Sequence, residues 1–195
     1  MNETLKYYNS NAEQFIKSSL SADMSGIQNE FLSYLPSKSL ILDFGCGAGR
    51  DTKYFSERGF HVYAVDGSEE MCRATNEYAK TEVKQMMFNE LSESEVYNGI
   101  WACSSILHVD KSALVDIFQR MIQALKVGGI LYCSFKYGNF EGMRNGRYFT
   151  DFDEKSFGKF IFQFSNLKVE KISITNDSRP DRKKDKWLNV FLRKI

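Results

Sequence analysis

Proline is nearly absent from this chain, with Pro36 and Pro180 the only two in 195 residues. Histidine is as scarce, at positions 61 and 108, and the four cysteines, Cys46, Cys72, Cys103 and Cys133, stand far apart. No C-x-x-C pair or histidine cluster offers a zinc site, so no metal is expected. Isolated cysteines in or just after apolar runs read as small buried fillers in a reducing compartment. An excess of one charge is lacking too: 26 Lys and Arg face 25 Asp and Glu, a net charge of +1. No global field therefore advertises a nucleic-acid or membrane partner. No apolar run approaches the ~20 residues of a membrane span, and the polar stretch Met1–Ser10 is unlike a secretory signal. Repeats, low-complexity tracts and linkers are missing as well. What remains is the expectation of a soluble cytoplasmic chain that forms one domain over 1–195, its 43% hydrophobic content enough for one core. No pattern specifies an oligomeric state.

What is present centres on Leu40-Ile41-Leu42-Asp43-Phe44-Gly45-Cys46-Gly47-Ala48-Gly49-Arg50-Asp51. A short apolar run ends in an acid and then in glycine at every second position, after which a helical pattern begins over 51–59. This predicts a strand, a tight turn and a helix. Glycines there permit positive φ and bare the main chain, so a nucleotide-like ligand can lie beside the N–H groups of the new helix. The dinucleotide fingerprint G-x-G-x-x-G would need glycine at position 50, where Arg50 stands, which disfavours pyrophosphate. A second apolar run, Val62-Tyr63-Ala64-Val65-Asp66, ends in another acid suited to the two hydroxyls of a ribose.

The pattern Asp43-x-Gly45-x-Gly47-x-Gly49, followed by a strand ending in Asp66, resembles motif I and its sequel in the class I S-adenosylmethionine-dependent methyltransferases. The resemblance is to the small enzymes of the tellurite-resistance and type 11 kind, and it covers about residues 7–193. It implies an α/β fold, a doubly wound, mostly parallel seven-stranded sheet in the order 3-2-1-4-5-7-6 with the last strand antiparallel and helices on both faces. It also implies S-adenosylmethionine as cofactor. On this reading Asp43 faces the ligand's amino group. Gly45, Cys46, Gly47, Gly49 and Arg50 form the turn beneath it. Asp66 takes the ribose, while Gly67, Ser68, Met71, Phe88 and Asn89 enclose the adenine. Cys103 and Ser104 are wall.

Alternation along the chain supports the same architecture. Residues 7–35 predict two helices, with Pro36 stopping the second and Ser21 or Asp23 as a cap for it. Strands are predicted at 61–65, 83–87, 99–103 and 130–135, with helices at 69–80 and 112–125, the latter stopped by a left-handed glycine in Lys126-Val127-Gly128-Gly129. Residues 137–150 predict a long polar loop, followed by a helix over 153–162 and β-type runs at 167–174 and 187–192. The family resemblance makes residues 1–36 a helical lid, in which Tyr8 adds an aromatic hydroxyl over the cofactor and Tyr7 reaches the acceptor. It sets 137–150 over the acceptor side.

The exit of the fourth strand, Cys103-Ser104-Ser105-Ile106-Leu107-His108, lies where the methyl group must point. Base methylators carry Asn/Asp-Pro-Pro-aromatic or Pro-Cys there, and neither is present. His108 is the one imidazole in position to act as general base, or equally to serve as wall. Trp101 is expected in the core. In the 137–150 loop, Arg144 and Arg147 suit a carboxylate or phosphate, or a salt bridge near Asp153. Arg179 and Arg182, in the charge run 179–186, can point back to the site, whereas Lys183 and Lys184 suit a solvated tip. The expected activity is methyl transfer to a small polar or anionic molecule. RNA or protein as acceptor, an oxyanion of tellurium or selenium, and a non-catalytic cofactor-binding protein are the alternatives. Nucleic acid is the less favoured partner.

Overall fold

Apolar residues at consecutive positions need burial on both faces, and the chain meets that need with one central sheet. The computed structural model describes residues 3–179, 182 and 184–195. Three helices, α1 (Glu3–Ser10), α2 (Ala12–Leu20) and α3 (Ser25–Ser33), precede β1 (Leu40–Phe44). Then come α4 (Arg50–Ser56), β2 (His61–Asp66), α5 (Glu69–Ala79), β3 (Val83–Gln85), β4 (Tyr97–Ala102), α6 (Lys111–Ala124) and β5 (Leu125–Lys136). The chain closes with β6 (Glu141–Arg144), β7 (Arg147–Thr150), α7 (Glu154–Ile161), β8 (Leu167–Asn176) and β9 (Lys186–Lys194).

The seven-stranded sheet runs β3-β2-β1-β4-β5-β9-β8, with β9 antiparallel to both its neighbours. Setting aside β6 and β7, which form their own two-stranded sheet, this is the order 3-2-1-4-5-7-6. Side-chain alternation divides the core. Leu42, Ile100, Leu131 and Val190 face α6 and α7. Ile41, Trp101, Tyr132 and Phe191 face Phe31 of α3 and Phe55 of α4. Trp101 is fully buried and stacks on Tyr132 at 4.1 Å, as a core residue should.

Four local expectations change. The N-terminal region holds three helices rather than two, because the chain breaks at Asn11, whose side chain donates to the Tyr7 carbonyl at 2.8 Å. The N-cap of α3 is Met24, with no side-chain cap; Asp23 instead accepts from the Ser25 amide at 2.9 Å. The helix α6 runs directly into β5, and Gly128, at φ +78°, lies inside the strand span rather than at a helix cap. The predicted loop over 137–150 is largely the β6–β7 hairpin. Its turn is Asn145-Gly146, both at positive φ (51° and 77°), the two-residue turn that matches strand twist.

Candidate functional site

The glycine turn carries the site. Gly45, Gly47 and Gly49 all have positive φ, but they serve different surfaces. A Cβ on Gly45 would stand 2.4 Å from Ser105 Cβ, and one on Gly49 would meet the Thr75 backbone at 3.0 Å, so these two allow close packing. At Gly47 a Cβ would meet only Phe15, at 3.6 Å. That position opens into a cavity of about 570 Å³ lined by Gly45, Cys46, Gly47, Arg50, Asp66, Gly67, Met71, Phe88, Asn89, Cys103 and Ser104, and roofed by Tyr8 and Phe15.

Asp66 lines the cavity. Its Oδ2 accepts from the Gly47 amide and its Oδ1 from the Ser68 amide, both at 2.9 Å. Burial pushes this carboxyl up, against the pull of those backbone N–H groups. Each oxygen keeps a further lone pair for a ligand hydroxyl. Asp43 and Gly49 do not line the cavity. The Asp43 carboxylate is buried behind the turn, where Thr52 Oγ1 donates to it at 2.5 Å, so it braces the start of α4. The acid that does reach the cavity from this segment is Asp51, which accepts from Gln28 at 2.6 Å, Trp101 Nε1 at 2.9 Å and Arg50 at 2.8 Å. An acid in the first turn of a helix is so ordinary that its sequence carries no mark of this network. Ser68 is buried outside the cavity: it caps α5, accepting from Met71 N at 3.2 Å, and donates to Asn9 at 2.6 Å.

Beyond the turn, the cavity continues along the exit of β4. Ser104 has φ +54°, uncommon for a non-glycine residue, and its amide donates to Ser134 Oγ at 2.8 Å. Burial pushes the Cys103 thiol up to about 11, so it is inert wall. The ring of His108, in the short turn Ile106–His108, lies 2.6 Å from the Tyr148 carbonyl through Nδ1. A carbonyl only accepts, so Nδ1 carries the proton, and the neutral ring accepts at Nε2 from Tyr8 O–H at 2.7 Å. Burial, helped by Arg147 and Arg144 and opposed by the Tyr148 carbonyl, lowers His108 to about 4.

The two hairpin arginines part company. Arg147 lines the cavity, whereas Arg144 donates through Nη2 to both carboxylate oxygens of Asp151, at 2.7 and 2.9 Å, and lies over the Phe140 and Phe149 rings. Arg144→Ala is expected to cost about 1–3 kcal/mol of stability in urea unfolding, because the buried Asp151 loses its charged partner. The Michaelis constant for the acceptor should stay unchanged. Tyr7 also stands outside the cavity and stacks on Arg147 at 4.5 Å. Arg179 lines the far mouth, its guanidinium on Asp177 at 2.8 and 2.6 Å. Near it lies a residue whose signal was available, Asn189, a polar residue in the apolar run of β9. It is buried, accepts from Tyr132 O–H at 2.8 Å and lines the cavity. Lys183 lies outside the described residues, and Lys184 is exposed. Among the described residues no cluster of His, Cys, Asp and Glu could hold a metal, and no helix is long and apolar enough to cross a membrane.

Residues 41–129, from β1 to the start of β5, match the family model of the methyltransferase domain. Over that segment the chain is similar to methyltransferase domains, and its fold is that of solved S-adenosylmethionine-dependent methyltransferases. YqeM of Bacillus subtilis, which carries a provisional methyltransferase name, is 29% identical over 113 residues, covering 52% of this chain and 46% of that protein. A ubiquinone biosynthesis O-methyltransferase of Rickettsia canadensis is 30% identical over 103 residues, covering 50% of this chain and 43% of that one. The chain thus matches about half the length of these curated relatives. In shape, the chain is similar to the 1,6-didemethyltoxoflavin-N1-methyltransferase of Burkholderia thailandensis, solved with 1,6-didemethyltoxoflavin and S-adenosylhomocysteine. That likeness has a TM-score of 0.78 at 19% identity, over 97% of this chain and 84% of that one.

Proposed function

We propose that this chain, as a single domain with residues 1–36 as its lid, binds S-adenosylmethionine and transfers the methyl group to a small polar or anionic molecule. The observation that carries the reading is the continuity of one cavity. It begins at Gly47 and Asp66, passes Cys103 and His108, and reaches Arg147 and Asn189. A non-catalytic cofactor-binding protein needs only its first half.

The residues present fit the cofactor. Gly47 leaves room against the backbone, and Asp66 offers acceptor positions for two ribose hydroxyls. Gly67, Met71, Phe88 and Asn89 line the cavity beyond the ends of β2 and β3, and Arg50 supplies a cation beside the glycine turn. Gly45, Cys46, Cys103 and Ser104 complete the wall, with Tyr8 above. Asp43, Gly49 and Ser68 contribute from behind, by holding α4 and α5 in place. The cofactor supplies a methyl group already activated on a sulfonium, so the chain's task is chiefly to position the acceptor and take its proton. The Tyr8–His108 hydrogen bond supports a relay. As the acceptor's nucleophile loses its proton to the Tyr8 oxygen, Tyr8 passes its own to His108 Nε2, and the Tyr148 carbonyl steadies the imidazolium through Nδ1–H. Arg147 and Arg179 face the acceptor, with Tyr7 stacked behind Arg147. Four free thiols suit a reducing compartment such as the cytoplasm.

Calorimetry tests the cofactor half. S-adenosylhomocysteine should bind and NAD should not. Asp66→Ala should weaken S-adenosylhomocysteine by about 2–3 kcal/mol, the scale of hydrogen bonds to a charged group. Preferential NAD binding, or an unchanged affinity in Asp66→Ala, overturns this assignment.

A further inference from the structure

Three cations of the cavity wall are matched by the chain itself. Arg50 sits on Asp51, Arg179 on Asp177, and Lys136 between Asp177 at 3.4 Å and Asp185 at 3.0 Å. Arg147 is different. Among the described residues no carboxylate pairs with it, and its Nε–H is buried with no acceptor. One terminal nitrogen makes a long contact of 3.5 Å to the Tyr8 hydroxyl. The guanidinium is otherwise held by aromatic rings, with Tyr7, Tyr8 and Phe149 at 4.5, 5.8 and 5.1 Å. Such faces attract a cation, but by less than an unpaired charge costs once water leaves. On the methyl-transfer reading, on which this inference rests, the sulfonium adds a second positive charge to the same space.

We propose that Arg147 is the counter-ion of a carboxylate carried by the acceptor, so that the substrates are small carboxylic acids whose nucleophilic group meets Tyr8 and His108. A carboxylate fits better than a phosphate. A single guanidinium offers two parallel N–H bonds to one planar anion, whereas a phosphate dianion calls for a second free cation; Lys136 and Arg179 are committed to Asp177, and Arg182, which also lines the cavity, is not free either. Pairing Arg147 with an anion also relieves part of the field that disfavours a proton on His108, so the acceptor would strengthen its own base.

The test uses methyl-labelled S-adenosylmethionine and a small-molecule extract of the source cells. Anion exchange divides the extract into uncharged and cationic, carboxylate, and phosphorylated pools. Label should enter the carboxylate pool and fall to background when that pool is esterified beforehand. Arg147→Gln should lower labelling at limiting acceptor by about 100-fold or more, as for truncation of a buried charge pair, while S-adenosylhomocysteine affinity stays within about twofold of the unmodified chain. Label in the uncharged or the phosphorylated pool overturns the carboxylate assignment and leaves methyl transfer standing. Weakened S-adenosylhomocysteine binding in a folded Arg147→Gln variant also overturns it, by giving the guanidinium to the cofactor. No label in any pool, with S-adenosylhomocysteine bound, removes the methyl-transfer reading and this inference together. The esterified pool tests the unmodified chain, so the outcome does not hang on the variant folding.

Discussion

His108→Ala is expected to lower turnover by roughly 10²–10⁴-fold, the usual yield of general base catalysis, and to leave S-adenosylhomocysteine affinity unchanged. The ring is placed for this by two hydrogen bonds that assign its tautomer, one donated to the Tyr148 carbonyl and one accepted from Tyr8. Tyr8→Phe should cost a comparable factor, and the double variant little more, because the two residues act as a unit. The pH profile gives an independent readout. Burial lowers His108 from an ordinary 6.5 to about 4, so the neutral imidazole persists to low pH. The acid limb of kcat/KM should fall near pH 4 in the free enzyme. Stability follows the same proton: between pH 6.5 and 4 the unfolded chain binds it and the folded chain does not, so stability falls as pH drops through that window. In His108→Ala that part of the loss should vanish. Full activity in His108→Ala across the pH range would reduce the ring to wall and leave catalysis to proximity alone.

The second large effect belongs to the glycine turn. Gly47→Val is expected to weaken S-adenosylhomocysteine by more than about 100-fold in calorimetry while circular dichroism stays native. At φ +57° a β-branched residue is strained. The local structure can still accommodate the new atoms, because a Cβ there faces only Phe15 at 3.6 Å and otherwise the cavity. What the side chain removes is the space a ligand needs against the backbone. The same substitution at Gly45 would collide with Ser105 and test packing instead of binding. An unchanged affinity in a folded Gly47→Val variant would mean the cofactor does not lie on this turn.

Much of the fold was legible because it rests on local patterns. Apolar runs ending in Asp43 and Asp66, and helices between them, dictate a parallel sheet wherever they occur. The hairpin over 141–150 reads as a loop in the sequence although Asn145-Gly146 marks its turn, because polar strands with few apolar residues hide the period-two signal. Arg144 and Arg147 have the same type and similar surroundings in sequence. They diverge because β6 directs one onto Asp151 and β7 directs the other into the cavity.

The sequence by itself determined the alternation of strands and helices, the glycine turn and the acid at the end of β2, since each depends on backbone conformation or burial period over a few neighbouring residues, whereas the sheet order followed from the family resemblance. Only the tertiary structure decided which polar groups meet. Asp43 and Asp51 lie eight positions apart on the same strand–turn–helix unit, yet Thr52 takes the first out of the cavity, and Arg50, Gln28 and Trp101 hold the second at its edge. Tyr8, His108 and Arg147 are separated by scores of residues and converge because α1, the exit of β4 and β7 pack at one end of the sheet. Hydrogen bonds and charges act over a few ångströms in space, and spacing along the chain carries no record of them.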